Sequence, residues 1–144
     1  MGFKEMQPVR CLLVRVEHDA DLINFLTELA KNQGIATATF TAIGALKNAK
    51  LGFYHQTKHE YIEEAVEVSV ELASCIGNIS IKDNQPFVHA HAVLADQNGN
   101  VKAGHLLMGK VFAAEIHLTE LKGEKISRTK DQVTRLSLWH MQRP

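Results

Sequence analysis

The sequence predicts an α+β fold, an antiparallel β-sheet of sandwich or barrel-like form with one main helix packed on it. Three observations lead there. A single stretch carries a clear helical repeat of apolar residues. Most of the remainder breaks into short β-branched or alternating segments punctuated by Gly and Asn. Finally, 144 residues with 45% apolar and 22% charged side chains suit one globular domain, taken as 1–144 and large enough to bury a core.

Residues 9–16, rich in valine and leucine, read as the first strand. Over residues 20–33, Leu22, Phe25, Leu26, Leu29 and Ala30 recur at the spacing that lines one helix face. Asp19 is the expected N-cap, Asp21 puts negative charge in the first turn, and Gly34 is the expected C-terminal cap. The Leu22, Phe25, Leu26 and Leu29 face should pack on the sheet. Strands are then expected at 35–42, 49–55, 65–72, 75–82, 87–95, 102–108 and 110–121. Within 65–72, Val66, Val68, Val70 and Leu72 alternate with Glu67, Ser69 and Glu71, the pattern of a half-buried strand. The tail, 127–144, reads either as a last strand or as a frayed end.

Sixteen Lys and Arg balance sixteen Asp and Glu. Proteins held on DNA mainly by phosphate contacts carry a basic excess or stripe, and this chain offers only a mild cluster over 122–135. Charge therefore gives little support to DNA binding by the domain alone. No apolar run approaches the ~20 residues of a membrane helix, so no membrane partner is expected. Cys11 and Cys75 lie in apolar segments without a paired motif and are expected as buried free thiols. With no signal-like stretch in residues 1–8, the expected location is cytoplasmic.

Of the eight histidines, His18, His55, His59 and His140 read as solvated residues. His89 and His91 stand two apart in an apolar strand, so both leave the same face. The side taken by His105 depends on the turn between. A two-residue type I′ turn at Asn98-Gly99 would set His105 opposite Ala92, on the other face. A type I turn over Asp96-Gln97-Asn98-Gly99, with Gly99 left-handed in a G1 bulge, pairs Asp96 with Asn100 and sets His91 opposite His105. The second register is preferred because it groups the polar side chains. Three neutral imidazoles on one face suit Zn²⁺ or a similar divalent metal, with a fourth position left to water as in catalytic zinc sites. Glu71 and Glu115 are the candidate catalytic residues, as a further ligand or a general base. The alternative is that the imidazoles are sheet residues bonded to backbone or water. Neither a phosphate-binding glycine loop nor a serine nucleophile elbow is present.

Several segments in order carry a family resemblance: Gly44-Ala45-Leu46, Leu51-Gly52-Phe53-Tyr54, Val70-Glu71-Leu72 and Gly77-Asn78-Ile79-Ser80. The strongest part is Pro86-Phe87-Val88-His89-Ala90-His91, followed by Gly104-His105-Leu106 and Gly109. Over residues 9–121 the chain resembles the plants-and-prokaryotes-conserved (PPC) domain. That resemblance implies a homotrimer of α+β domains, and it implies that His89, His91 and His105 form a metal site. Apolar positions on both faces of 87–95, more than one helix can cover, also point to a trimer. In plants the domain follows an AT-hook, Arg-Gly-Arg-Pro, which this sequence lacks. The plant segment Gly-Arg-Phe-Glu-Ile-Leu corresponds to Val68-Ser69-Val70-Glu71-Leu72-Ala73, without the Gly-Arg pair. What remains looks like the stand-alone prokaryotic form, for which DNA binding is an analogy with the plant members. Three readings follow: a DNA-binding or regulatory trimer with a histidine metal site, a metal-dependent enzyme or small-molecule-binding protein built on that site, and a metal-stabilised structural trimer without turnover.

Overall fold

The computed structural model describes residues 2–141. In chain order it contains β1 (Gln7–Val16), α1 (Leu22–Gln33), β2 (Ala38–His55), β3 (Glu60–Val66), β4 (Val70–Lys82), β5 (Gln85–Ala95) and β6 (Val101–Lys122). A short hairpin of β7 (Arg128–Lys130) and β8 (Ser137–Trp139) follows. The main sheet runs β1-β6-β5-β4-β2-β3 and every pairing is antiparallel. Because β2 also pairs with β6, the β6-β5-β4-β2 circuit closes on itself. The result is the expected barrel-like sheet with one helix.

The helix packs on β5 and β6 through Leu22, Leu26 and Ala30, all fully buried, with Phe25 and Leu29 partly buried beside them. Its N-cap is Asp21 rather than Asp19. Asp21 has the extended backbone a cap requires (φ −84°, ψ 126°), and its carboxylate accepts from the Asn24 N–H at 2.8 Å. The other oxygen accepts from the Gly109 N–H at 2.9 Å, fastening the helix start to β6. Asp19, at φ 67°, belongs to the preceding turn and pairs with Lys47 at 2.7 Å. Gly34 caps the other end in the left-handed conformation, at φ 68°.

Two pairs of expected strands are single long ones. Residues expected as 35–42 and 49–55 join in β2, whose pairing with β4 shifts register between Ala42 and Gly44. Gly44 sits there at φ 147°, and a Cβ would lie 2.2 Å from the Ala113 carbonyl oxygen. The glycine bends the strand across its neighbour instead of ending it. Likewise 102–108 and 110–121 join in β6, continuous through Gly109.

The expected strand 65–72 is instead divided. Its valines alternate through the end of β3 and the start of β4, but residues 67–69 form the connection and Val68 is exposed. The tail pairs as the β7–β8 hairpin, and residues 142–144 of the expected segment lie outside the described residues. Of the two thiols, Cys75 is buried as expected; Cys11 is exposed because its strand turns that face outward. No helix of the described residues is long and apolar enough to cross a membrane.

Candidate metal centre

The β5–β6 hairpin decides where the histidines meet. Asp96 N–H donates to the Asn100 carbonyl at 3.0 Å, and Gly99 N–H donates to the Asp96 carbonyl at 3.0 Å. Gly99 is left-handed at φ 80°. This is the type I turn with a G1 bulge. The Asp96 carboxylate reinforces it by accepting from the backbone N–H groups of Asn98 (2.8 Å) and Asn100 (2.9 Å). Bonds from Asn100 and Asn98 hold that carboxyl below its ordinary range. In this register His91 lies directly opposite His105. The two-residue turn occurs instead at Asp83-Asn84, between β4 and β5, where both residues have positive φ.

Alternation along β5 buries Ala90 and Ala92 and turns His89 and His91 to the opposite face. One nitrogen from each of His89, His91 and His105 lies within 4.8 Å of the other two. Ring centroids are separated by 5.0 Å (His89–His105), 5.2 Å (His89–His91) and 5.5 Å (His91–His105). Tetrahedral zinc places its nitrogens about 3.4 Å apart, so the rings need only modest side-chain rotation to close on an ion.

His89 and His105 are half-buried. Burial, then the neighbouring His105, Arg128 and His91, pushes the His89 imidazole down to about 4. Burial, then His91 and Arg128, lowers His105 as well. Both rings are thereby held in the neutral form a metal requires. His105 Nδ1 is buried with no hydrogen-bond partner among the described residues. A buried polar nitrogen left without a partner is costly, and a cation would relieve it.

Neither acidic candidate joins the trio within one chain. Glu71 lies at the register of Ala95, four residues along β5 from His91, ~13 Å away. Glu115 lies ten residues along β6 from His105, opposite Arg15 and Ile43. Among the histidines read as solvated, His59 reaches the Thr134 carbonyl at 3.3 Å and the Tyr54 hydroxyl at 3.4 Å. His117, at a position whose spacing carries no signal, lies 2.7 Å from Cys11 Sγ.

Two neighbours of the trio were not legible in the sequence. Arg128 comes from the tail, which docks beside β4 through the Ile81 N–H to Ile126 carbonyl bond of 2.8 Å. Its Nε donates to Ser80 Oγ (2.8 Å), Nη1 to the Ser137 carbonyl (2.9 Å) and Nη2 to Asn78 Oδ1 (2.8 Å). Tyr61, from β3, sets its ring 5.6 Å from that of His105, tilted by 47°.

A one-helix antiparallel barrel with three histidines converging from a single hairpin defines the class of protein. The Plants and Prokaryotes Conserved (PCC) domain matches residues 3–122, and the chain belongs to that family. It is similar to a plant- and prokaryote-conserved (PPC) protein of Pyrococcus horikoshii, at 42% identity over 100% of both chains and a TM-score of 0.94. It is also similar to a metal-containing protein of Archaeoglobus fulgidus, at 36% identity over 97% of this chain and 99% of that one, TM-score 0.94. A candidate DNA-binding protein of Bacteroides thetaiotaomicron shares the fold at 24% identity, over 97% and 99% of the two chains, TM-score 0.86. No curated protein matches the sequence.

Proposed function

We propose that this chain is a metal-binding PCC-domain protein in which His89, His91 and His105 hold a divalent ion, Zn²⁺ by the chemistry of the donor set. The observation that carries the reading is the convergence of three imidazole nitrogens within 4.8 Å, one ring having a buried nitrogen without a partner among the described residues. The Archaeoglobus fulgidus relative, described as metal-containing, supports it. Three protein ligands leave a fourth position open, and a metal bound this way acidifies a coordinated water. Neither Glu71 nor Glu115 reaches the trio within one chain, and the reading is one of metal binding. Elemental analysis after purification without chelator tests it. Wild type and His55→Ala should carry about one metal per chain, and His91→Ala should carry little. Equal content in wild type and His91→Ala overturns the site.

The domain, taken as the single unit 1–144, assembles as a homotrimer in this reading. One cross-strand row runs Leu13, His117, Thr41, Ile76, His91 and His105. Leu13 and Ile76, with Ile43 nearby, leave more than half their surface exposed, at 83%, 63% and 58%. Exposed apolar side chains of this kind, set among polar ones, are what an association surface offers. Light scattering should give about three times the 16.0 kDa chain mass. A mass of one chain at micromolar concentration refutes the trimer. Two free thiols, one of them exposed, suit a reducing, cytoplasmic setting.

A second reading, a DNA-binding or regulatory trimer, draws on the description of the Bacteroides protein. Against it stands the zero net charge. Anisotropy with labelled duplex at low salt separates the two. Binding that weakens steeply with salt supports DNA, and no binding sinks it.

A further inference from the structure

Beside the trio lies a cavity of about 330 Å³, bordered by His89 and His105 on one side and by the tail on the other. The tail is fixed as its roof. Tyr54 donates its hydroxyl to the Thr134 carbonyl at 2.6 Å, and the Asp131 carboxylate braces the same loop by accepting from the Thr134 N–H at 2.7 Å.

The charge of this cavity is one-sided. Lys82, Arg128 and Arg135 line it, against the single carboxylate of Glu60, which itself faces Lys58 at 3.9 Å. Arg128 is the telling residue. Half-buried, it spends three donors on neutral acceptors (Ser80, Asn78 and the Ser137 carbonyl) and makes no ion pair among the described residues. Its guanidinium packs 5.1 Å from the Phe87 ring and 5.8 Å from the Trp139 ring, which fixes its orientation. With five N–H donors in all, Nη1 and Nη2 each keep one free. A partly buried cation without a counter-charge is costly, and a fixed fork of N–H groups matches an oxyanion. The other walls, Phe87, Leu107, Leu136 and Leu138, are apolar. At this volume the cavity sits at the small end of ligand pockets, which run from ~300 to 1,000 Å³.

We propose that the cavity binds a small organic oxyanion, a carboxylate or phosphate head on an apolar body, and that Arg128 recognises the head. The proposal deepens the metal reading and rests on it in one respect: an ion on the trio would give the anion a second point of attachment. Arg128 lies outside residues 3–122 that the family domain matches, so this recognition belongs to the tail of the chain.

The test is calorimetric titration of benzoate and of phenyl phosphate into zinc-loaded and chelator-stripped protein, with uncharged benzamide as the control. At least one acid should bind one per chain and at least ten-fold tighter than benzamide; which acid does so identifies the head. Arg128→Gln should weaken that acid about ten-fold or more, the worth of a charge-assisted hydrogen bond. Because Arg128 also anchors the tail, Arg135→Gln at the cavity edge is the second variant, with a loss of several-fold. Acids that bind no tighter than benzamide in both protein forms overturn the proposal, as do two variants that bind like wild type. Zinc uptake on the same samples keeps the two readings apart. Zinc bound without anion overturns this proposal alone, and Arg128-dependent anion binding to protein that takes no zinc overturns the metal reading alone.

Discussion

Replacing His105 with leucine should change stability in opposite directions according to whether metal is present. In metal-free protein, His105 Nδ1 is buried without a partner among the described residues, and a group in that state costs ~1–3 kcal/mol. Leucine fills a similar volume with no polar atom to satisfy. Chelator-treated His105→Leu should therefore equal wild type or exceed it by up to ~2 kcal/mol. Zinc reverses the order. At a hundred times its dissociation constant a ligand stabilises by about 2.7 kcal/mol, and removing one of three imidazoles forfeits most of that gain. The assay is urea unfolding followed through Trp139, the one tryptophan, with and without zinc at a single protein concentration. Midpoints are compared at unchanged slope. A variant less stable by ~2 kcal/mol in chelator would refute the argument that the nitrogen is an uncompensated burden. An equal zinc-induced shift in both proteins would refute its part in the site.

Leu26→Ala should cost about 2–5 kcal/mol, because the side chain is fully buried between the helix and the strands that carry the histidines. An unchanged urea midpoint would mean that this face is not the packing face. Stability of metal-free protein should also fall with acid. His89 titrates near 4 in the folded chain against an ordinary ~6.5 unfolded, so above ~6.5 it is neutral in both states and contributes nothing. As pH drops from about 6.5 to about 4, the unfolded chain takes up a proton that folded His89 refuses, and stability declines across that window. Unfolding midpoints of wild type and His89→Gln between pH 7.5 and 4.5 check this: the variant should decline less, and parallel curves would contradict it.

What the sequence disclosed and what it hid divide along a physical line. Local chemistry was legible. Leu22, Leu26 and Ala30 mark the buried helix face, and Asp96 with Gly99 specify the bulged turn that puts His91 opposite His105. Punctuation was harder to read. Gly44 and Gly109 look like strand ends, yet they are places where long strands bend or touch a neighbour's backbone and side chains closely. Alternation of Val66, Val68 and Val70 continues across a break in the sheet, because β3 and β4 run the same way along β2 (Val66 opposite Ala49, Val70 opposite Leu46) and side-chain period does not show that residues 67–69 leave it. The helix start slipped by two residues because Asp19 and Asp21 are both cap-competent residue types; Asp19 is taken into the preceding turn at φ 67°, while Asp21 caps the Asn24 N–H and is also fastened to Gly109. Arg128 was invisible for a different reason. It meets Ser80 and Asn78 across 48 and 50 residues, through docking of a tail whose local sequence carries no site motif.

The central claim is that the trio holds a metal, and anomalous X-ray scattering at the zinc edge tests it most directly. Crystals of zinc-loaded protein should show a peak bounded by nitrogens of His89, His91 and His105 at about 2.0–2.1 Å, with a water or small anion completing the tetrahedron. The same crystals of His91→Ala should lose that peak. A peak held by other residues, or none at the trio while zinc is in excess, would contradict the account.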